Sequence, residues 1–111
     1  MTAPLSARPD AAPGTDPIAA AAARMLLEIE AVLIRPDAPF TFTSGRKSPV
    51  YVDCRKIIAF PRARRAVAQW AEAVIAREIG HESLDVIAGG ETAGIPFAAW
   101  IADRLGLPMA Y

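Results

Sequence analysis

Two short stretches of this chain carry residue types that can handle a small anion. The first, Thr43-Ser44-Gly45-Arg46-Lys47-Ser48, places hydroxyls, a glycine and two cations within six residues. Hydroxyls and cations donate hydrogen bonds to carboxylate and phosphate oxygens. The same composition also suits a solvated hairpin tip, so the stretch alone leaves both readings open. The second is Gly89-Gly90-Glu91-Thr92-Ala93-Gly94, which follows an apolar run and precedes a helical one. A strand that turns through glycine into a helix exposes backbone N–H groups at the positive end of the helix dipole, a geometry that binds phosphate. A tight strand-to-helix connection is the alternative. The stretch is neither a P-loop nor a dinucleotide fingerprint, because it lacks Gly-Lys-Ser/Thr and its glycine spacing differs.

Other candidates are weaker. Tyr51 stands next to the polar stretch and can stack on a flat heterocycle, although strand aromatics more commonly serve packing. Arg62, Arg64 and Arg65 cluster at an expected helix start, where cations oppose the macrodipole. This suits phosphate or subunit contacts, or simply a solvated face. His81 is the single histidine and Cys54 the single cysteine. Neither has the partners for a His-Cys metal site or an activating base, so neither is assigned catalysis.

These residues need elements to hold them. Apolar positions Met25, Leu26, Ile29 and Leu33 recur at helical spacing, and five alanines precede them, which predicts a helix from Ile18 to Ile34. Asp16 and Pro17 suit its N-cap and first turn, and Pro36 its end. Phe40-Thr41-Phe42-Thr43 alternates with period two and Val50-Tyr51-Val52 is strand-like. Together they read as a hairpin, or a pair of short strands, around the polar stretch. Pro61 opens a helix to about Ile79, with Val67, Trp70, Ala71, Val74, Ile75 and Glu78 on one face and Gly80 as its stop. Leu84 to Ala88 reads as a buried strand, Ile95 to Leu105 as a helix ended by Gly106, and Leu107 to Tyr111 as the approach to another strand. The last three form the start of a βαβ unit, which implies a parallel sheet covered by helices.

Composition bounds the rest. The chain has 111 residues, room for one domain, with 53% hydrophobic and 22% charged residues. Twelve basic and twelve acidic residues cancel, giving no support to bulk nucleic-acid or anionic-membrane binding. The longest apolar run, Ile18 to Leu27, is broken by Arg24 and is too short for a bilayer. A lone cysteine forms no internal disulfide, which makes a reducing cytoplasm the expected compartment. Residues 1–17, rich in alanine and proline, read as a disordered tail, and 18–111 as the folded part.

Two segments taken together are specific. Phe40 to Arg55 (FTFTSGRKSPVYVDCR) resembles the signature near the N-terminus of orotate phosphoribosyltransferases, and Val86 to Ala98 (VIAGGETAGIPFA) resembles the loop after the first core strand of the same family. The resemblance covers roughly Met25 to Tyr111. It implies an α/β chain with an incomplete type I phosphoribosyltransferase fold: an N-terminal helix and hairpin hood, then the first βαβ of a parallel sheet. It implies transfer of ribose 5-phosphate from phosphoribosyl pyrophosphate to orotate, giving orotidine 5'-monophosphate and pyrophosphate in pyrimidine biosynthesis, with Mg2+ accompanying the pyrophosphate and a homodimer as the usual assembly. Carried over by position, Thr43, Ser44 and Gly45 fall where the hood meets orotate and pyrophosphate. Tyr51 falls against the orotate ring, and Glu91, Thr92, Ala93 and Gly94 in the pyrophosphate loop.

Two positions depart from the pattern. Many relatives have lysine where this chain has Thr43 and where it has Ala93. Threonine donates a hydrogen bond without charge, and alanine supplies neither. The mobile catalytic loop and the acidic Thr-Thr-Gly loop that grips the donor sugar are absent from these 111 residues. The 111 residues alone are therefore expected to be inactive, and no catalytic residue is assigned. The competing reading is an inactive relative that serves as a ligand-binding or interaction module. A phosphoribosyltransferase for another base is disfavoured by the hood signature.

Overall fold

The computed structural model describes residues 16–111. Most of the expected tail lies outside this range, but Asp16 and Pro17 lie within it and belong to the first helix. That helix, α1, spans Pro17–Glu28, and the Asp16 carboxylate accepts from the Ile18 N–H at 2.9 Å as its N-cap.

The helix ends well before Pro36, which corrects the sequence expectation. Glu30 adopts φ 57°, in the left-handed region. The Glu30 N–H donates to the Leu27 carbonyl at 3.1 Å and the Ala31 N–H to the Leu26 carbonyl at 2.9 Å. This reverse pair of bonds is a Schellman closure, whose left-handed position is usually glycine. Glutamate occupies it here, so no composition signal announced the stop. Two tertiary bonds hold the bend: Lys56 Nζ donates to the Glu30 carbonyl at 2.9 Å, and the Asp53 N–H to the Ala31 carbonyl at 2.8 Å. Val32–Ile34 then forms strand β1 where helix was expected. Its β-branched residues favour the strand once a partner is present.

That partner is β4, Val50–Val52, antiparallel with Leu33 opposite Tyr51. The hairpin is a separate unit of β2, Phe40–Thr41, and β3, Lys47–Ser48. The period-two runs are therefore both strands, but they do not pair with each other. Pro49 separates β3 from β4, and Ser48 Oγ bridges it by donating to the Val50 carbonyl at 2.8 Å and accepting from the Val50 N–H at 3.1 Å. The Pro49 carbonyl accepts from the Arg35 N–H at 2.6 Å, tying the turn back to the end of β1.

A 3-10 segment, Cys54–Ala59, leads into helix α2, Pro61–Glu78. This helix packs against α1, the 3-10 segment and α3, and so links the hood to the βαβ unit. Helices α2 and α3 pack on each other, and small residues are buried on both, Ala63 and Ala68 of α2 and Ala98 and Ala102 of α3. The expected α2 face of Val67, Trp70, Ala71, Val74, Ile75 and Glu78 is only half-buried. At its end, Arg77 pairs with Glu78 at 2.9 Å and reaches Asp16 at 3.9 Å, joining this helix to the start of α1.

The βαβ unit comprises β5, Ile87–Ala88; α3, Gly94–Leu105; and β6, Met109–Ala110. The two strands are parallel, with Ile87 opposite Met109 and Ala88 opposite Ala110. Gly106, at φ 67°, closes α3. The expected strand over Leu84 to Ala88 is shorter than predicted and is not buried, with Val86 47% exposed. Strands of a parallel sheet bury both faces only when flanking strands and helices cover them, and here only β6 pairs with β5 among the described residues.

Candidate functional site

The polar stretch forms the tip of the β2–β3 hairpin. The Phe42 N–H donates to the Arg46 carbonyl at 2.8 Å, and the Gly45 N–H donates back to the Phe42 carbonyl at 2.8 Å. Residues 43–45 thus form a three-residue loop with Gly45 at φ 86°, the left-handed position such loops need. The Ser44 hydroxyl accepts weakly from the Arg46 N–H at 3.4 Å. Thr43, Ser44, Gly45, Arg46 and Lys47 are all exposed.

Tyr51 lies on the inner side of β4 and meets the hairpin aromatics. Its ring centroid is 5.5 Å from that of Phe40 and 6.2 Å from that of Phe42, both tilted. With Thr41 and Thr43, these rings line an open concavity of about 430 Å³. Its walls are aromatic and its rim hydroxylated, which suits a flat, polar-edged ligand. The Arg35 guanidinium covers Phe40 at 4.6 Å from the ring centroid. The alternation of Phe40 and Phe42 with threonine carried the signal for these two extra walls, whereas Arg35 had none.

Beyond Tyr51 the same side of the chain carries Asp53. Its Oδ1 accepts from the Arg55 N–H and from Arg55 Nε, each at 3.1 Å. The Arg55 guanidinium beside Asp53 holds its carboxyl below the usual carboxylate range, and the carboxylate in turn raises the arginine. Sequence reading did not single out this pair.

The second stretch forms the β5–α3 connection. Gly89 is required there by contact: a Cβ at this position would lie 2.5 Å from the Gly94 carbonyl oxygen and 2.8 Å from the Ala98 methyl. Gly90 faces open space, so packing explains only the first glycine of the pair. The expected free N–H groups are partly used internally. The Gly94 N–H donates to the Gly90 carbonyl at 2.9 Å, and the Ile95 N–H to the Thr92 carbonyl at 3.2 Å. No described acceptor pairs with the N–H groups of Gly90, Glu91, Thr92 or Ala93. The helix has no side-chain cap and no acidic residue in its first turn, so its positive end is uncompensated. The Glu91–Thr92 peptide is cis, which the sequence did not indicate. Glu91, Thr92 and Ala93 are exposed and Gly94 is half-buried.

The structure therefore gathers Thr43 and Tyr51 around one concavity, with Ser44 and Gly45 at its tip, and places Glu91 to Gly94 on a second loop. No hydrogen bond, ion pair or ring contact connects the two groups among the described residues. The arginines at the start of α2 join neither: Arg64 donates to the Ile58 carbonyl at 2.8 Å and lies 5.4 Å from the Trp100 ring centroid. Cys54 is an exposed free thiol. No helix among the described residues is long and apolar enough to cross a membrane.

Comparison with known structures places this architecture. The crystal structure of orotate phosphoribosyltransferase from Aeropyrum pernix superposes with a TM-score of 0.65 at 28% identity, over 79% of this chain and 50% of that one. Leishmania donovani UMP synthase gives 0.64 at 30% identity, over 82% of this chain and 19% of that one. The fold is a partial α/β fold of the type I phosphoribosyltransferase class.

Sequence comparison is narrower. The chain is 55% identical over 103 residues to orotate phosphoribosyltransferase of Cereibacter sphaeroides, and 62% identical over 89 residues to that of Sinorhizobium medicae. These alignments take in 93% and 80% of this chain but only 44% and 38% of the relatives. The 111 residues are homologous to a portion of the orotate phosphoribosyltransferases. No family model matches the chain.

Proposed function

We propose that this chain forms the acceptor-facing and pyrophosphate-facing part of an orotate phosphoribosyltransferase. The reaction moves ribose 5-phosphate from phosphoribosyl pyrophosphate to a ring nitrogen of orotate, releasing pyrophosphate. The observation that carries this reading is the pairing of an aromatic, hydroxyl-rimmed concavity with an uncapped helix N-terminus in one chain that is 55% identical to such enzymes.

Each loop has a defined task in this reading. Tyr51 supports the flat face of orotate, and Thr43, Ser44 and the Gly45 backbone donate to its polar edge and to the pyrophosphate of the donor. The open N–H groups of Glu91, Thr92 and Ala93 receive pyrophosphate oxygens, aided by the α3 dipole. Gly89, which lacks a Cβ, lets the helix begin close against the end of β5. These residues bind and orient. The charge that develops at the sugar carbon needs further preorganised groups, and the resemblance assigns those to segments outside these 111 residues.

Mg2+ belongs with the donor in this scheme. No three acidic, histidine or cysteine side chains converge among the described residues, so they offer no cage of their own. Such an ion keeps waters and binds phosphate oxygens, where it neutralises charge on the leaving pyrophosphate. The functional assembly is a homodimer, and the compartment is the reducing cytoplasm, consistent with the exposed free Cys54.

The test is a pair of measurements on the 111-residue protein. Titration calorimetry should show orotate binding, while a spectrophotometric assay with orotate, donor and magnesium should show no orotidine 5'-monophosphate. Failure to bind orotate or pyrophosphate would reject the site and favour a role in partner interaction.

A further inference from the structure

The arginines near the start of α2 take no part in either loop of the proposed site. Two of them line a cleft between α2 and α3. Arg64 and Arg65 of α2, with Trp100, Asp103 and Arg104 of α3, form most of its wall, around a volume of about 190 Å³. Two of the three guanidiniums are held in place. Arg64 Nη1 donates to the Ile58 carbonyl at 2.8 Å, and its guanidinium lies 5.4 Å from the Trp100 ring centroid. Arg104 Nε donates to Glu72 Oε2 at 2.7 Å. Each keeps further N–H donors, because a guanidinium carries five. The Arg65 side chain has no hydrogen bond or ion pair among the described residues, and neither has the Asp103 carboxylate.

The cleft therefore holds three cations and one carboxylate that pairs with none of them. Arg64 and Arg65 also lie in the early turns of α2, where cations oppose the helix dipole, and no acidic residue stands in its first turn. An anion in the cleft offsets both the mutual repulsion and the dipole. Planar guanidiniums fixed by their other bonds suit phosphate oxygens, which accept paired N–H donors. The volume admits a phosphate group and a small substituent, whereas an extended acidic segment needs a longer groove. We propose that the α2–α3 cleft binds a small phosphate monoester, with Arg64, Arg65 and Arg104 on the phosphate oxygens and Trp100 against the substituent. This cleft shares no residue with the Tyr51 concavity or with the loop ahead of α3, and it does not depend on the orotate reading. A ligand there bridges α2 and α3 and stabilises their packing.

The experiment follows Trp100 fluorescence in a Trp70→Phe chain, which leaves a single tryptophan. Inorganic phosphate and phenyl phosphate are titrated at an ionic strength held constant with chloride, and calorimetry on the chain with both tryptophans gives the affinities independently. Both ligands should bind saturably, phenyl phosphate more tightly through its ring. Arg65→Gln should weaken both by roughly tenfold, the value of one charge-assisted bond. Asp103→Asn should tighten both by about threefold, because it removes the opposing charge from the cleft. A side chain with a merely structural role gives no such gain. Circular dichroism melts check that neither substitution disturbs the fold. Absence of saturable binding overturns the inference. Phosphate binding that survives Arg65→Gln unchanged belongs elsewhere, on the loop ahead of α3, and overturns it as well. So does an Asp103→Asn chain that binds no more tightly than wild type. A chain that ignores both phosphates but binds a short polyglutamate peptide overturns the ligand class and marks the cleft as a surface for an acidic protein partner.

Discussion

Gly89 and Ala98 stand so close that a Cβ on the glycine would lie 2.8 Å from the alanine methyl. The end of β5 therefore rests directly on the first turns of α3. This contact sets where the α3 N-terminus points, and with it the open N–H groups of the preceding loop. Gly89→Ala should destabilise the chain by about 1–3 kcal/mol through overpacking. Gly90→Ala, which meets nothing within 4 Å, should have a much smaller effect. Urea midpoints of the two variants give the comparison, and equal losses would contradict it.

Glu30 offers a stabilising substitution. A non-glycine residue in the left-handed region costs roughly 1–2 kcal/mol. Glycine relieves that cost but gains unfolded-state entropy, returning about 0.4–1 kcal/mol. Glu30→Gly should therefore stabilise by about 0.5–1 kcal/mol. The Lys56 bond survives because it uses the Glu30 carbonyl. A lower urea midpoint for this variant would show that the glutamate side chain has a role the closure does not explain.

Asp53 gives a pH dependence with a definite sign. Its folded pKa lies below the usual carboxylate value, chiefly through the side-chain hydrogen bond from Arg55. The unfolded chain thus takes up the proton first as pH falls. The stabilisation is fully present above the unfolded carboxylate pKa, near 4, and is lost as pH drops through the lower folded value. Asp53→Asn should flatten stability against pH in this acid window and leave its shape near neutrality unchanged. Acid melts of the two proteins would expose a mismatch.

Much of this arrangement was legible in the sequence, and the exceptions have physical causes. Pro61 and Gly80 bounded α2, and Gly106 ended α3, because those residues restrict or free the backbone locally. The end of α1 was not legible because a Schellman closure with glutamate has no composition signature and depends on Lys56 and Asp53 from distant sequence. Strand pairing was also hidden. Val50 to Val52 chose Val32 to Ile34 over the nearer Phe40 and Thr41, a choice made by tertiary contact. At the site, the two polar stretches and Tyr51 were visible from residue type. The Asp53–Arg55 pair was not, since alternating charges on a strand exit are common on any surface.

Thr43 stands where the family resemblance leads to the expectation of a lysine. It sits on the rim of the concavity and supplies no charge. Thr43→Lys should tighten binding of pyrophosphate by roughly tenfold, the difference between a neutral and a charge-assisted bond. Isothermal titration of pyrophosphate settles the point, and unchanged affinity would place position 43 away from the anion.

The central claim is that these residues supply the acceptor and pyrophosphate surfaces of an orotate phosphoribosyltransferase. Its most direct test joins residues 1–111 to the complementary portion of the Cereibacter sphaeroides relative and follows orotidine 5'-monophosphate formation. The chimera should turn over orotate with magnesium and donor, and Tyr51→Ala should weaken orotate use by roughly tenfold through loss of the aromatic support. A folded chimera that forms no product, or one indifferent to Tyr51, would contradict the account.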